Sequence, residues 1–355
     1  MSPRRIGRLG GALAALAAAL VAGTAAPAAA DPARPTDYES RIDAITPEVD
    51  TISVRIIGGD AFIELTADPG TEVTVLGYEG EPYLQFLEDG TVQENTRSAA
   101  TYLNESRYAR PEEVDVPTDI SPEDDPVWRT VASGGTYAWH DHRVHWMSPD
   151  SPPDAEPGDV FQTQDVDLVV DGEPVAITVS VVLAEPISPL PWLGLGLAAA
   201  AGLSALGWKR RTLPVATVSA VVASVFAVVA GQAELAEVPA GAGGTPLVVI
   251  VPAIGLVAAG LAGLLLWRSK RGLAGVSLLA SAACLGGWGV LRIMVLFKPV
   301  LPTTLPPNVD RAATALAIGM AAAVAVLVFH SGAVSPAPLE DEDEPVGAPA
   351  GEPAT

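Results

Sequence analysis

Along the first half of the chain, apolar residues recur at every second position. Ile52, Val54 and Ile56 alternate with Ser53 and Arg55 until Gly58-Gly59-Asp60 breaks the run. Phe62 to Leu65 resumes it, Asp68-Pro69-Gly70 turns, and Val73 and Val75 flank Thr74. Further on, Val166–Val170 and Val175–Leu183 are separated by a short linker that opens with Asp171-Gly172, a strong hairpin signal, and Ile177, Val179, Val181 and Leu183 share one face. Short period-two segments with turn signals between them predict an antiparallel sandwich of about seven or eight strands. Thr96 to Pro126 is rich in Pro, Glu and Asp without periodicity and reads as a long surface excursion. From Leu190 the pattern changes to five continuous apolar stretches, about 190–207, 213–231, 246–267, 273–297 and 312–330. Each is near the ~20 residues a helix needs to cross ~30 Å of hydrocarbon. The expected architecture is therefore an all-β extracytoplasmic sandwich followed by an all-α transmembrane bundle of five helices.

Charge divides at the same place. The chain carries a formal net charge of -22, with 49% hydrophobic residues and a mean hydropathy of +0.34. Residues 31–187 hold 33 Asp and Glu against 8 Arg and no Lys, whereas residues 188–331 hold 3 acids against 9 bases. That segregation excludes a single soluble globule, and the lack of a basic face argues against nucleic acid as a partner. A lone cysteine, Cys284, excludes an intramolecular disulfide and a multi-cysteine zinc site.

Residues 1–30 read as a signal peptide, with Arg4, Arg5 and Arg8 ahead of an apolar run from Leu9 to Val21 and the small residues Ala28-Ala29-Ala30. An uncleaved anchor helix is the alternative. The remaining expected units are an extracytoplasmic domain at 31–187, a membrane domain at 188–331 and an acidic, disordered cytoplasmic tail at 332–355 containing Glu340-Asp-Glu-Asp-Glu344. Lys209, Arg210 and Arg211 follow the first span and Arg268, Lys270 and Arg271 the third, while the loop after the second span carries Glu234 and Glu237. This positive-inside pattern predicts an outside N-terminal domain and a cytoplasmic C-terminus in the cell membrane. Trp192, Trp208 and Trp267 stand at span ends, where amphipathic rings prefer to sit.

No Asp, Glu or His falls at mid-depth in a span, which argues against an ion-driven carrier. Gly255, Gly260, Gly263, Gly286, Gly287 and Gly289 permit close helix approach, within a compact bundle or at a homo-oligomer seam. Arg292, Lys298 and Arg311 place positive charge at the outer membrane end, against the usual bias. They either receive the acidic ectodomain or an anionic ligand, or snorkel to lipid phosphates.

The residues that can carry chemistry are concentrated in Tyr137-Ala-Trp-His140-Asp-His142-Arg-Val-His145-Trp-Met147, which holds three of the four histidines. On an extended strand His140 and His142 project to one side and their rings can share a metal ion. His145 and Met147 have the opposite parity and need a bend around Arg143-Val144 to join them. Imidazole suits copper and zinc, and a thioether favours copper(I). The other account of the same residues is a packed aromatic strand whose imidazoles bond to backbone. No Gly-x-Ser-x-Gly, P-loop or dinucleotide fingerprint occurs, so the sequence argues against an enzyme.

Around Gly134-Gly-Thr-Tyr137 the chain resembles the Gly-Thr-Tyr strand of cupredoxins, and its layout resembles copper-resistance sandwich domains fused to membrane helices. It also resembles membrane proteins of high-GC Gram-positive bacteria that carry a secreted β-sandwich. The resemblance implies an immunoglobulin-like or cupredoxin-like sandwich and a bound copper ion. It departs from those families in having no cysteine near the cluster, no histidine at the mature N-terminus Asp31-Pro-Ala-Arg34 and no mid-depth histidines. The expected function is membrane-anchored metal binding, with copper the expected cofactor and the lipid bilayer the evident partner. The alternative is a non-catalytic envelope protein whose acidic sandwich docks another envelope protein.

Overall fold

The computed structural model describes residues 33–110, 112–148, 150, 152–208, 212–239 and 246–334. The expected signal peptide, the basic cluster Lys209, Arg210 and Arg211, and the acidic tail lie outside the described residues.

Ten strands precede the helices: β1 (Tyr38–Thr46), β2 (Ile52–Ile57), β3 (Phe62–Ala67), β4 (Val73–Leu76), β5 (Pro82–Phe86), β6 (Val92–Asn95), β7 (Trp128–Ala132), β8 (Thr136–Trp139), β9 (Val160–Val170) and β10 (Glu173–Leu183). They form an antiparallel seven-stranded sheet in the order β1-β10-β9-β4-β5-β6-β7 and a three-stranded sheet in the order β2-β3-β8. The strands number ten rather than seven or eight: β5, β6 and β7 are too short for alternation to mark them, and β1, although nine residues long, has its period broken by a bulge between Ile42 and Ala44. Ile63 and Leu65 from the smaller sheet and Val75, Leu84, Phe86, Leu168 and Ile177 from the larger share one buried core. The Asp171-Gly172 signal is realised as a two-residue hairpin joining β9 to β10. Val170 pairs with Glu173, and both loop residues have positive φ (49° and 86°), as a type I′ turn requires. Among the described residues of 96–127 the single-turn helix α1 (Ala100–Leu103) is the one regular element, and the rest runs as turns and irregular chain.

Five long apolar helices follow: α2 (Leu190–Trp208), α3 (Thr212–Leu235), α4 (Leu247–Trp267), α5 (Arg271–Leu291) and α6 (Pro307–His330), each long and apolar enough to cross a membrane. The fourth apolar stretch does not continue as one helix to Phe297. It stops at Leu291, where Arg292 turns the chain into a 3₁₀ segment, Ile293–Leu296. Small residues set the helix spacing. A Cβ on Gly196 of α2 would lie 2.9 Å from the Ala315 carbonyl oxygen of α6, so these two backbones meet through glycine. Gly255 faces Ser224 and Cys284, and Gly289 faces Ile318, whereas Gly260 and Gly287 face open space. Only part of the glycine content is therefore used for packing inside the chain.

The two regions touch through the turn between β2 and β3. Gly58 and Gly59 both adopt positive φ, and a Cβ on Gly58 would press on Ala33 at 2.6 Å. This turn lets Gly58 N–H donate to Glu237 Oε2 (2.9 Å), just beyond α3. Val238 packs on the cluster formed by Ile57, Ala61, Phe62 and Ala138. Thr36 pairs with Val300 as an isolated antiparallel bridge, and Lys298 pairs with Asp37.

Candidate metal centre

Strand β8 ends at Trp139, so the histidines sit on the irregular turn that follows rather than on an extended strand. Asp141 shapes that turn. Its backbone carbonyl accepts from Val144 N–H (3.1 Å), and its carboxylate accepts from Arg143 N–H (3.0 Å), Arg143 Nε (2.9 Å) and Nη2 (2.7 Å), and Trp139 Nε1 (3.0 Å). Ser40 Oγ of β1 donates to the Val144 carbonyl. The bend around Arg143-Val144 that the parity argument demands is thus present. It carries His145 back to the other two rings.

The ring centroids of His140 and His145 lie 4.3 Å apart, those of His142 and His145 5.5 Å, and those of His140 and His142 5.6 Å. One nitrogen from each ring lies within 4.8 Å of the other two, and no Asp, Glu or Cys among the described residues joins the group. His140 and His145 are buried, while His142 is half-buried. Met147 follows on the same loop, half-buried, and no hydrogen bond ties its sulfur to the trio.

Each ring has one nitrogen committed to a backbone carbonyl: His140 Nδ1 to Ala61 O (2.6 Å), His142 Nε2 to Ser106 O (2.8 Å) and His145 Nδ1 to Trp146 O (3.0 Å). A carbonyl only accepts, so these nitrogens carry the protons. The lone pairs are left on His140 Nε2, His142 Nδ1 and His145 Nε2. His140 Nε2 and His145 Nε2 are buried with no hydrogen-bond partner. An imidazole that donates one N–H to a carbonyl and offers the other nitrogen is the usual arrangement at a metal.

Electrostatics hold the rings neutral. Burial first, then the neighbouring His142 and the Arg107 guanidinium, push His140 down to about 3. Burial, His140 and Arg107 push His145 well below its ordinary value, and burial lowers His142. Two further ion pairs flank the trio. Arg107 bonds Asp60, whose carboxyl stays above its usual range because burial outweighs that guanidinium. Burial also raises Asp141, but Arg143 more than offsets it, leaving that carboxyl below the usual value. The edge of Phe62 faces His140 (5.9 Å, 76°), and Tyr78 stacks on His142 (5.8 Å, 15°). The carbonyl partners and the two arginine–aspartate pairs could not be found from sequence, since backbone acceptors leave no residue signal.

The three basic residues Arg292, Lys298 and Arg311, at the end of the bundle that meets the β region, have different environments. Arg292 is buried inside the bundle: Nε donates to Glu234 Oε2 (2.7 Å), Nη1 to Asp310 Oδ1 (3.0 Å) and Thr314 Oγ1 (3.2 Å), and Nη2 to Asp310 Oδ2 (3.0 Å), with the Trp288 ring 4.6 Å away. Lys298 alone meets the β region, at Asp37. Arg311 Nη2 donates to the Lys298 and Pro299 carbonyls (both 2.8 Å) and braces that loop. Glu234, read from sequence as a loop acid, and Asp310 are the partners that reading missed. Their spacing from Arg292 becomes visible only once α3, α5 and α6 are packed together.

Comparison with protein-family models, curated protein sequences and solved structures returns no match.

Proposed function

We propose that the chain is a membrane-anchored metal-binding protein whose site is His140, His142 and His145. The observation that carries this is the pair of buried, unpartnered nitrogens, His140 Nε2 and His145 Nε2, on rings whose other nitrogens are already committed. A purely structural aromatic cluster would leave both orphaned, each at about 1–3 kcal/mol. A shared ion removes both penalties. Three imidazoles suit a first-row transition metal, with copper the expected ion; Met147, expected from the sequence as a further donor, is left out of the proposed ligand set. The likeness to cupredoxin and copper-resistance sandwiches is kept to this donor chemistry. The β region would face outside and the C-terminus the cytoplasm. Supporting this orientation, the loops that touch the β region (Glu237 and Val300) lie at one end of the bundle, and Arg268, Lys270 and Arg271, which join α4 to α5, lie at the other. The ion would then be held beside the membrane surface, because the Ala61 carbonyl that orients His140 belongs to the same turn that bonds Glu237.

The test is metal uptake by the full-length protein in detergent, native against a His140→Ala/His142→Ala double variant. One equivalent of copper in the native protein and none in the variant is the expected result. Equal, negligible uptake by both would remove the proposal.

A further inference from the structure

We infer that the ion held by the trio is monovalent, copper(I), in preference to zinc(II) or copper(II); the inference rests on the metal-binding reading above. It follows from counting charge around the rings. All three donors are neutral imidazoles, and no carboxylate or thiolate among the described residues joins them. The two nearby carboxylates are already neutralised. Asp60 is paired with Arg107 through Oδ2, and Asp141 accepts from Arg143 and Trp139 Nε1, so the charge of each is already balanced by a guanidinium.

Placing a charge in a buried site costs free energy that grows with the square of that charge, so a dication bears about four times the penalty of a monocation of equal size. Coordination preference points the same way. Three-coordinate nitrogen ligation satisfies d¹⁰ copper(I). Zinc(II) takes a fourth ligand and copper(II) a tetragonal set, and each usually recruits oxygen to reach it. The apolar edge of Phe62 faces His140 and Tyr78 stacks on His142, so the rings sit in surroundings that solvate a charge poorly. His142 is the half-buried member and marks the side from which the ion enters.

The experiment is an anaerobic titration of the full-length protein in detergent. Copper(I) is delivered from bicinchoninate, and zinc(II) and copper(II) are supplied as competitors. The expected result is one copper(I) per chain, not displaced by about a tenfold excess of either dication. Displacement by equimolar zinc(II), or equal affinity for copper(II), overturns the inference and leaves the metal-binding reading intact. No metal held by the native protein overturns both. A His142→Asp variant sharpens the test, because it adds an anionic oxygen donor at the half-buried position. Its preference is expected to move at least about tenfold toward zinc(II). An unchanged preference contradicts the charge argument.

Discussion

Arg292 and the histidine trio are both buried polar clusters close to the junction of the two regions, and they are satisfied in opposite ways. Arg292 donates four hydrogen bonds to Glu234, Asp310 and Thr314 and lies against Trp288, tying α3, α5 and α6 together. Its chemistry is complete within the chain. The trio is incomplete: three protons are placed on carbonyls, and the opposite nitrogens of His140 and His145 meet nothing. A closed cluster of this kind acts as a structural clamp. An open one, with its protons already assigned, has the form of a ligand set.

That contrast can be broken at the clamp first. Replacing Arg292 with Met leaves the buried Asp310 and the half-buried Glu234 unpaired, and the expected loss is about 3–5 kcal/mol, read by thermal unfolding in detergent. A loss within about 0.5 kcal/mol, the scale of an ordinary surface change, would mean that the clamp contributes little. The open cluster should respond to ligand instead. At a free metal concentration about 100 times Kd, the native protein should gain about 2.7 kcal/mol, and the His140→Ala/His142→Ala variant nothing. A metal-induced shift that survives in the variant would place the site elsewhere.

Acid sharpens the comparison on the apoprotein. The folded trio resists protonation, with His140 at about 3 and the other two lowered, whereas unfolded histidines take up protons near 6.5. The unfolded state therefore binds more protons below that value. Stability is full well above pH 6.5 and is lost as the pH falls toward His140's folded value, with a slope that approaches about 1.4 kcal/mol per pH unit from His140 and with His142 and His145 adding in the same direction. Denaturant unfolding between pH 6.5 and 5 should show this slope, and a flat profile would mean the rings are not held neutral. The smallest effect is expected at Lys298. Its pair with Asp37 is partly exposed (29% and 39%), so Lys298→Ala should cost no more than about 1 kcal/mol. A larger loss would make this contact, rather than the Gly58 turn and Val238, the main attachment of the β region.

The legible parts of the molecule are those written in local periodicity. Alternation marked β2, β3, β4, β9 and β10, Asp171-Gly172 marked a hairpin, and apolar length marked five helices. The short β5, β6 and β7 were not legible individually, because four or five residues carry too little pattern. At the site, the histidines were visible by type and spacing, but their placement was not. It depends on Asp141 closing a turn and on carbonyls from Ala61 and Ser106, far away in the chain. The role of Arg292 was obscured in the same way: a base at a helix end looks alike whether it faces lipid, a partner domain or a buried acid on another helix.

Copper X-ray absorption on the full-length protein loaded with one equivalent of copper(I) addresses the ligand set most directly. Three imidazole nitrogens around a single copper, lost on the His140→Ala/His142→Ala substitution, is the predicted spectrum. A copper environment without histidine scattering, or one unchanged by that substitution, would contradict the account.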